Sequence, residues 1–258
     1  MQNLFSDLKA KTYNKHDELE QSTPFALFHN MVGCNDSEAH EAHRGNYLNV
    51  LCVMREFHQR CTLVINDATE KYPTLQALAN QFETQAVITA LNNDLAELNS
   101  ISAQCTSELQ NVDLPNFETP LSATISAMYV WLGSSMGANI ISRRLEKAGF
   151  GFPTHYYQSM AKQAKAWPEF KQEVVRLLPL IIEGADVASQ AGSQVDRQVD
   201  RQVESRVESQ NSETLSVAMI NDANLWFDHL ILMFQKEVAD RIIAKFNTSA
   251  YGLSLIHI

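Results

Sequence analysis

Turn-forming residues are scarce in this chain. Nine glycines and seven prolines are spread over 258 residues, too few for the many tight connections of a sandwich or barrel. No credible run of alternating strands appears either, so a sheet-based fold is not expected. Basic residues are outnumbered, 20 Lys and Arg against 30 Asp and Glu, for a formal net charge of −10. That balance speaks against a nucleic-acid binder, which presents a basic face. The longest strongly apolar run, "LLPLII", is far too short to cross a bilayer, and no membrane association is expected. The four cysteines (Cys34, Cys52, Cys61, Cys105) show no C-x-x-C spacing. With no signal peptide in "MQNLFSDLKAK", reduced thiols in a cytoplasmic protein are the expectation. G-x-G-x-x-G and G-x-S-x-G are both absent. "GSSMG" has the outline of a nucleophile elbow, but its context is helical and lacks the preceding strand.

What the chain has in quantity is helical periodicity. Leu4, Leu8 and Leu19 share one face of a first helix, and Pro24 opens a short second one. "HNMVGCNDSEAHEAHRG" reads as a polar break before a long helix, "YLNVLCVMREFHQRCTLVIND". A further helical segment follows Pro73, and "VDLPNFETP" is a connection. The next helix spans about Leu121 to Ala148 and stops at Gly149. "PEFKQEVVRLLPLIIEGADVASQ" is helical with a bend at Pro179. The last helix, "SETLSVAMINDANLWFDHLILMFQKEVADRIIAKF", starts at the N-cap Ser212. The fold expected is all-α, a compact single-domain bundle over residues 1–250.

Within it, 191–211 is low in complexity. Val195, Val199, Val203 and Val207 recur every fourth residue, and so do Asp196, Asp200, Glu204 and Glu208. One valine stripe buries little and the like charges repel, so a surface-loop insertion before the last helix is expected. Residues 253–258, "LSLIHI", read as a non-native tail.

Four features carry chemistry. His16 sits on the first helix with Glu20 at i+4, where a carboxylate can accept the imidazole N–H not used for a metal. Gly133 and Gly137, with Ser134 and Ser135 between them, leave a strip without bulk inside "YVWLGSSMGANIISRRL". Such a strip serves either close helix packing or the approach of backbone to something flat and large. The cations Lys9, Arg143, Arg144 and Lys171 could together neutralise an acidic ligand. Phe28, Phe227 and Phe234 lie on apolar faces. His40, Glu41 and His43 lack a second pair of ligands at metal-site spacing and read as polar loop.

In combination these residues resemble the heme oxygenase family. "LKAKTYNKHDELE" is similar to its first helix with the proximal histidine, "YVWLGSSMGANIISRRL" to its distal helix in bacterial members, and "ANLWFDHLILMF" to its final core helix; "LNNDLAEL" adds a further match. The resemblance implies a biliverdin-producing enzyme. Heme, both substrate and cofactor, is opened oxidatively with release of iron and carbon monoxide. His16 matches the axial iron ligand and Glu20 its hydrogen-bond acceptor. Gly133, Ser134 and Gly137 match the distal catalytic stretch, and Tyr129 opens that stretch beside the heme. Lys9, Arg144 and Lys171 are matched to the propionates, and Phe28, Phe227 and Phe234 to the pocket wall. Leu132 and Ala138 depart from the bacterial pattern, which has an acidic residue and a glycine there. No flavin or nicotinamide motif is present, so an external reductant is implied: a ferredoxin or a flavoprotein reductase. Iron acquisition and bilin supply to a downstream photoreceptor both fit. The alternatives are a non-enzymatic heme carrier or sensor on the same fold, and a helical enzyme of the thiaminase or di-iron kind.

Overall fold

A computed structural model describes residues 4–22, 37–98, 109, 111–190, 213–237 and 239. Phe28, the helix expected after Pro24, Ser212, the 191–211 insertion and the 253–258 tail lie outside them. All regular structure among the described residues is helical. Helix α1 is Leu4–Gln21, α2 Ser37–Lys71. A 3-10 turn at Pro73–Leu75 leads into α3, Gln76–Ala79, and α4 is Thr84–Leu98. Helix α5 is Pro120–Ala148 and α6 His155–Gln163; Ala164–Ala166 then tightens into α7, Trp167–Gln190. Helix α8 covers 213–237.

Helices α2, α4, α5 and α6 pack on one another as the centre of the molecule. Leu121 through Leu132 of α5 are all buried. A helix apolar around its whole circumference is a core helix, and the three Ser and Thr hydroxyls in that stretch find partners. The Ser122 hydroxyl donates to Asp222, Thr124 to the Pro120 carbonyl at 2.8 Å, and Ser126 to the Met219 carbonyl at 2.7 Å. The ends of α5 are set locally. Thr119 is the N-cap of a capping box with Ser122, Pro120 follows at N1, and Gly149 closes the helix at φ 72°. Thr119→Ala is expected to cost about 1 kcal/mol, read as a lower urea midpoint at unchanged slope.

Three expectations are corrected. The stretch around His40 and His43 is helix, not loop, because α2 starts at Ser37. The His40 ring packs against Phe150 and Phe152, both at 5.5 Å, and His43 against Phe150 at 5.0 Å; this packing offsets the helix cost of Gly45. The segment after Pro73 is two helices, separated at 80–83. Finally, Cys52 is disulfide-bonded, while Cys61 is free and buried. The thiols are therefore not all reduced, and they no longer argue for a reducing compartment. Among the described residues no helix is long and apolar enough to cross a membrane.

Candidate functional site

Helix α1 buries Leu4, Leu8 and Thr12. Phe5 anchors its start among Tyr129 of α5 and Trp167 and Phe170 of α7, with ring centroids 5.7 to 6.5 Å away. The Thr12 hydroxyl donates to the Leu8 carbonyl at 2.7 Å and lies in hydrogen-bonding reach of the Tyr129 phenol. That contact fixes α1 against α5. On α1 His16 follows Thr12 by one helical turn, on α5 Gly133 follows Tyr129 by one, and the ring contact of His16 is to Phe227 of α8 rather than to α5.

The His16 side chain is 51% exposed. Its Nδ1 lies 3.7 Å from Glu20 Oε1, and its ring meets Phe227 of α8 edge-on at 5.9 Å. Nδ1 thus faces a carboxylate, which leaves Nε2 as the nitrogen for a metal. Lys9 is exposed two turns earlier on the same side of α1. Phe227 is nearly buried and Phe234 fully so.

Burial along α5 breaks at Gly133. A Cβ built on Gly133 or Gly137 would meet nothing within 4 Å, so this strip is not a close helix–helix contact among the described residues. Neither glycine has a positive φ; α5 is plain helix there, and what glycine contributes is the missing side chain. Met136 and Ile140 border the strip, 54% and 55% exposed. At 100° per residue Arg144 falls on the face of both glycines, two turns past Gly137, and it is exposed. The Ser134 and Ser135 hydroxyls donate to the Trp131 and Leu132 carbonyls, both at 2.6 Å. Ser134 is thus left as an acceptor on the open side. Leu132 and Ala138 are buried, so both face the core rather than the strip.

The structure therefore brings His16 together with Glu20 and Phe227, and Tyr129 with α1. Tyr129 also meets Trp167 at 5.7 Å, and Lys171 Nζ lies 5.9 Å above the Trp167 ring. Lys9 and Arg144 share faces with the site by helical phase alone. Among the described residues no group of three or more His, Cys, Asp or Glu could hold a metal, which leaves the di-iron reading without a ligand set there.

Sequence reading did not single out the buried polar groups that build the scaffold. His58 Nε2 and the Tyr156 hydroxyl share a hydrogen bond of 3.0 Å, and burial pushes the His58 imidazole down to about 3. Asp94 accepts from the His155 and Tyr156 backbone N–H groups at 3.0 and 2.9 Å and from His155 Nδ1 at 2.6 Å, capping α6 from α4. Burial nonetheless pushes its carboxyl up. Arg60 donates to the Val112 and Leu109 carbonyls beside His229. The signal was present in each case: a polar residue at a core position of an apolar helix, as in "LNNDLAEL" and "WFDHLILM". A shallow groove of about 410 Å³ between α4 and α6, lined by Thr89, Asn93, His155 and Lys162 among others, includes none of the predicted residues.

No family model matches this chain, and no solved structure matches it. A stretch of 43 residues, 16% of the chain, is 60% identical to part of the Ribosomal RNA small subunit methyltransferase A of Pelagibacter ubique (strain HTCC1062). The chain covers 16% of the length of that protein, and so short a match carries no fold or activity to the rest of the molecule.

Proposed function

We propose that the chain is a heme oxygenase that binds heme between α1 and α5 and opens it to biliverdin. One juxtaposition carries this reading. It pairs a half-exposed imidazole on α1 with an open, side-chain-free strip on α5, two helices that meet at Thr12 and Tyr129. The donor set fits a heme: a single imidazole with a carboxylate at its far nitrogen, an apolar border, and backbone that can lie against a flat face.

Heme, when bound, would supply the iron that takes up dioxygen and the macrocycle that is oxidised, with iron and carbon monoxide released and electrons drawn from an external donor. His16 would hold the iron through Nε2 while Glu20 keeps Nδ1 protonated and the ring oriented. Phe227 would limit rotation of that ring. Gly133 and Gly137 would let the backbone of α5 approach the opposite face. Met136 and Ile140 would exclude water at its edges, and Ser134 would hold a proton-bearing water through its free lone pairs. Lys9, Arg144 and Lys171 are our candidates for the propionates. A ferredoxin or flavoprotein is the reductant we propose.

The second reading is a heme carrier or sensor. It is favoured by the Ser134 hydroxyl, whose one proton is committed to the Trp131 carbonyl. Hemin added to the purified protein, followed by reductant in air, separates the two. Loss of the Soret band with growth of bilin absorption is the expected result; a stable oxygenated complex would favour the carrier. No Soret shift on adding hemin would sink both.

A further inference from the structure

Beyond Thr12 no residue of α1 is fully buried, so the half of the helix that carries His16 is held from its flank. Leu19 packs against the core from this half, and two consecutive residues hold its flank. Lys15 Nζ reaches Asp228 of α8 at 2.7 Å, and His16 rests on the neighbouring Phe227. Glu18, 3.1 Å from the same ammonium, steadies Lys15 from within α1. Lys15 and His16 are about 100° apart around the helix. A tether at position 15 therefore fixes how far α1 can roll, and with it where the imidazole points. A functional imidazole has to be held to within roughly 0.5 Å and 10–20°.

Resting on the heme-binding reading, we propose that the Lys15–Asp228 ion pair is a positioning device that aims the His16 imidazole at the iron. The side chains are 35% and 48% exposed, so the pair adds little to overall stability. The hydrogen bond to Asp228, then that to Glu18, hold the Lys15 ammonium above its usual range. The pair is open to solvent, so it responds to ionic strength. Salt that shortens the screening length from about 30 Å to about 3 Å weakens it.

The experiment uses the full chain loaded with hemin. Lys15→Met and Asp228→Asn are each expected to bind heme but to lower both the imidazole-ligated fraction and the turnover by about two- to fivefold, the range of an exposed pair. The exchange Lys15→Asp with Asp228→Lys should restore both. Wild-type ligation should fall as salt rises from about 0.01 M to about 1 M, whereas Asp228→Asn should not respond. The iron–imidazole stretch of the ferrous complex reads orientation directly, and a merely structural role would leave it unmoved. If wild type shows no axial imidazole that His16→Ala removes, the heme reading itself has failed. If wild type shows it and the single variants keep wild-type stretch, turnover and salt response, the clamp is overturned. Failure of the charge exchange to restore a loss seen in the singles overturns it as well.

Discussion

Replacing His16 by alanine will remove the axial imidazole and lower biliverdin formation by on the order of a hundredfold. Losing only a hydrogen-bonding partner of a metal ligand costs about 10- to 100-fold, and here the ligand itself is lost. Heme should still bind through its apolar faces and its carboxylates, so the expected change lies in the ferrous spectrum and in turnover more than in affinity. Because the side chain is half exposed, imidazole added to the solution can reach the space that alanine leaves. It should restore part of the original behaviour: the wild-type spectrum first, then part of the activity. Glu20→Gln keeps the acceptor but removes its charge, and is expected to act in the same direction with a smaller loss. An His16→Ala protein whose ferrous spectrum and turnover equal those of wild type would remove position 16 from the site.

What could be read before the fold was known divides along sequence distance. The spacing of His16 and Glu20, and of Gly133 and Gly137, is a property of one helix, and the structure places these residues on shared helical faces. Thr119, Pro120 and Gly149 mark the ends of α5 for the same reason: caps act within one turn. The contacts that join helices were not legible. Thr12 meets Tyr129, and Lys15 meets Asp228, across more than a hundred residues, and no spacing rule reaches that far. The start of α2 was misread because local composition, with a glycine and four charged or histidine side chains in "HEAHRG", argued for a loop. Phe150 and Phe152, following α5, supply the packing that holds it helical. Gly133 and Gly137 were ambiguous between packing and ligand approach. Their surroundings, empty of neighbouring side chains among the described residues, speak against close packing.

Lowering the pH from 7 to 4 is expected to remove about 3 kcal/mol of stability through His58 alone. In the unfolded chain this imidazole takes a proton near 6.5; in the fold, burial holds it at about 3. Between those values the unfolded chain binds more protons, so unfolding becomes easier as pH falls, and the contribution is complete only above about 6.5. The structure gives the reason. Nε2 is bonded to Tyr156, Nδ1 is buried with no partner, and a second N–H would face no acceptor in a site closed off by Trp131 at 4.1 Å. His229 acts in the same direction: burial first, then the Arg60 guanidinium, hold it at about 4. The buried carboxyls of Asp94 and Asp222 are pushed up. They therefore oppose the trend, since their contribution is fully present below the unfolded value and is lost as pH rises. The comparison that isolates His58 is urea unfolding of wild type and His58→Phe at pH 7 and pH 4. The variant pays for its own lost hydrogen bond at both pH values, so that loss cancels in the difference. Its stability should fall less between the two by about 3 kcal/mol, a large part of the roughly 5–15 kcal/mol that holds such a domain together. Equal losses in the two proteins would mean that His58 can protonate in place, and that the core between α2, α5 and α6 admits water where the structure packs it closed.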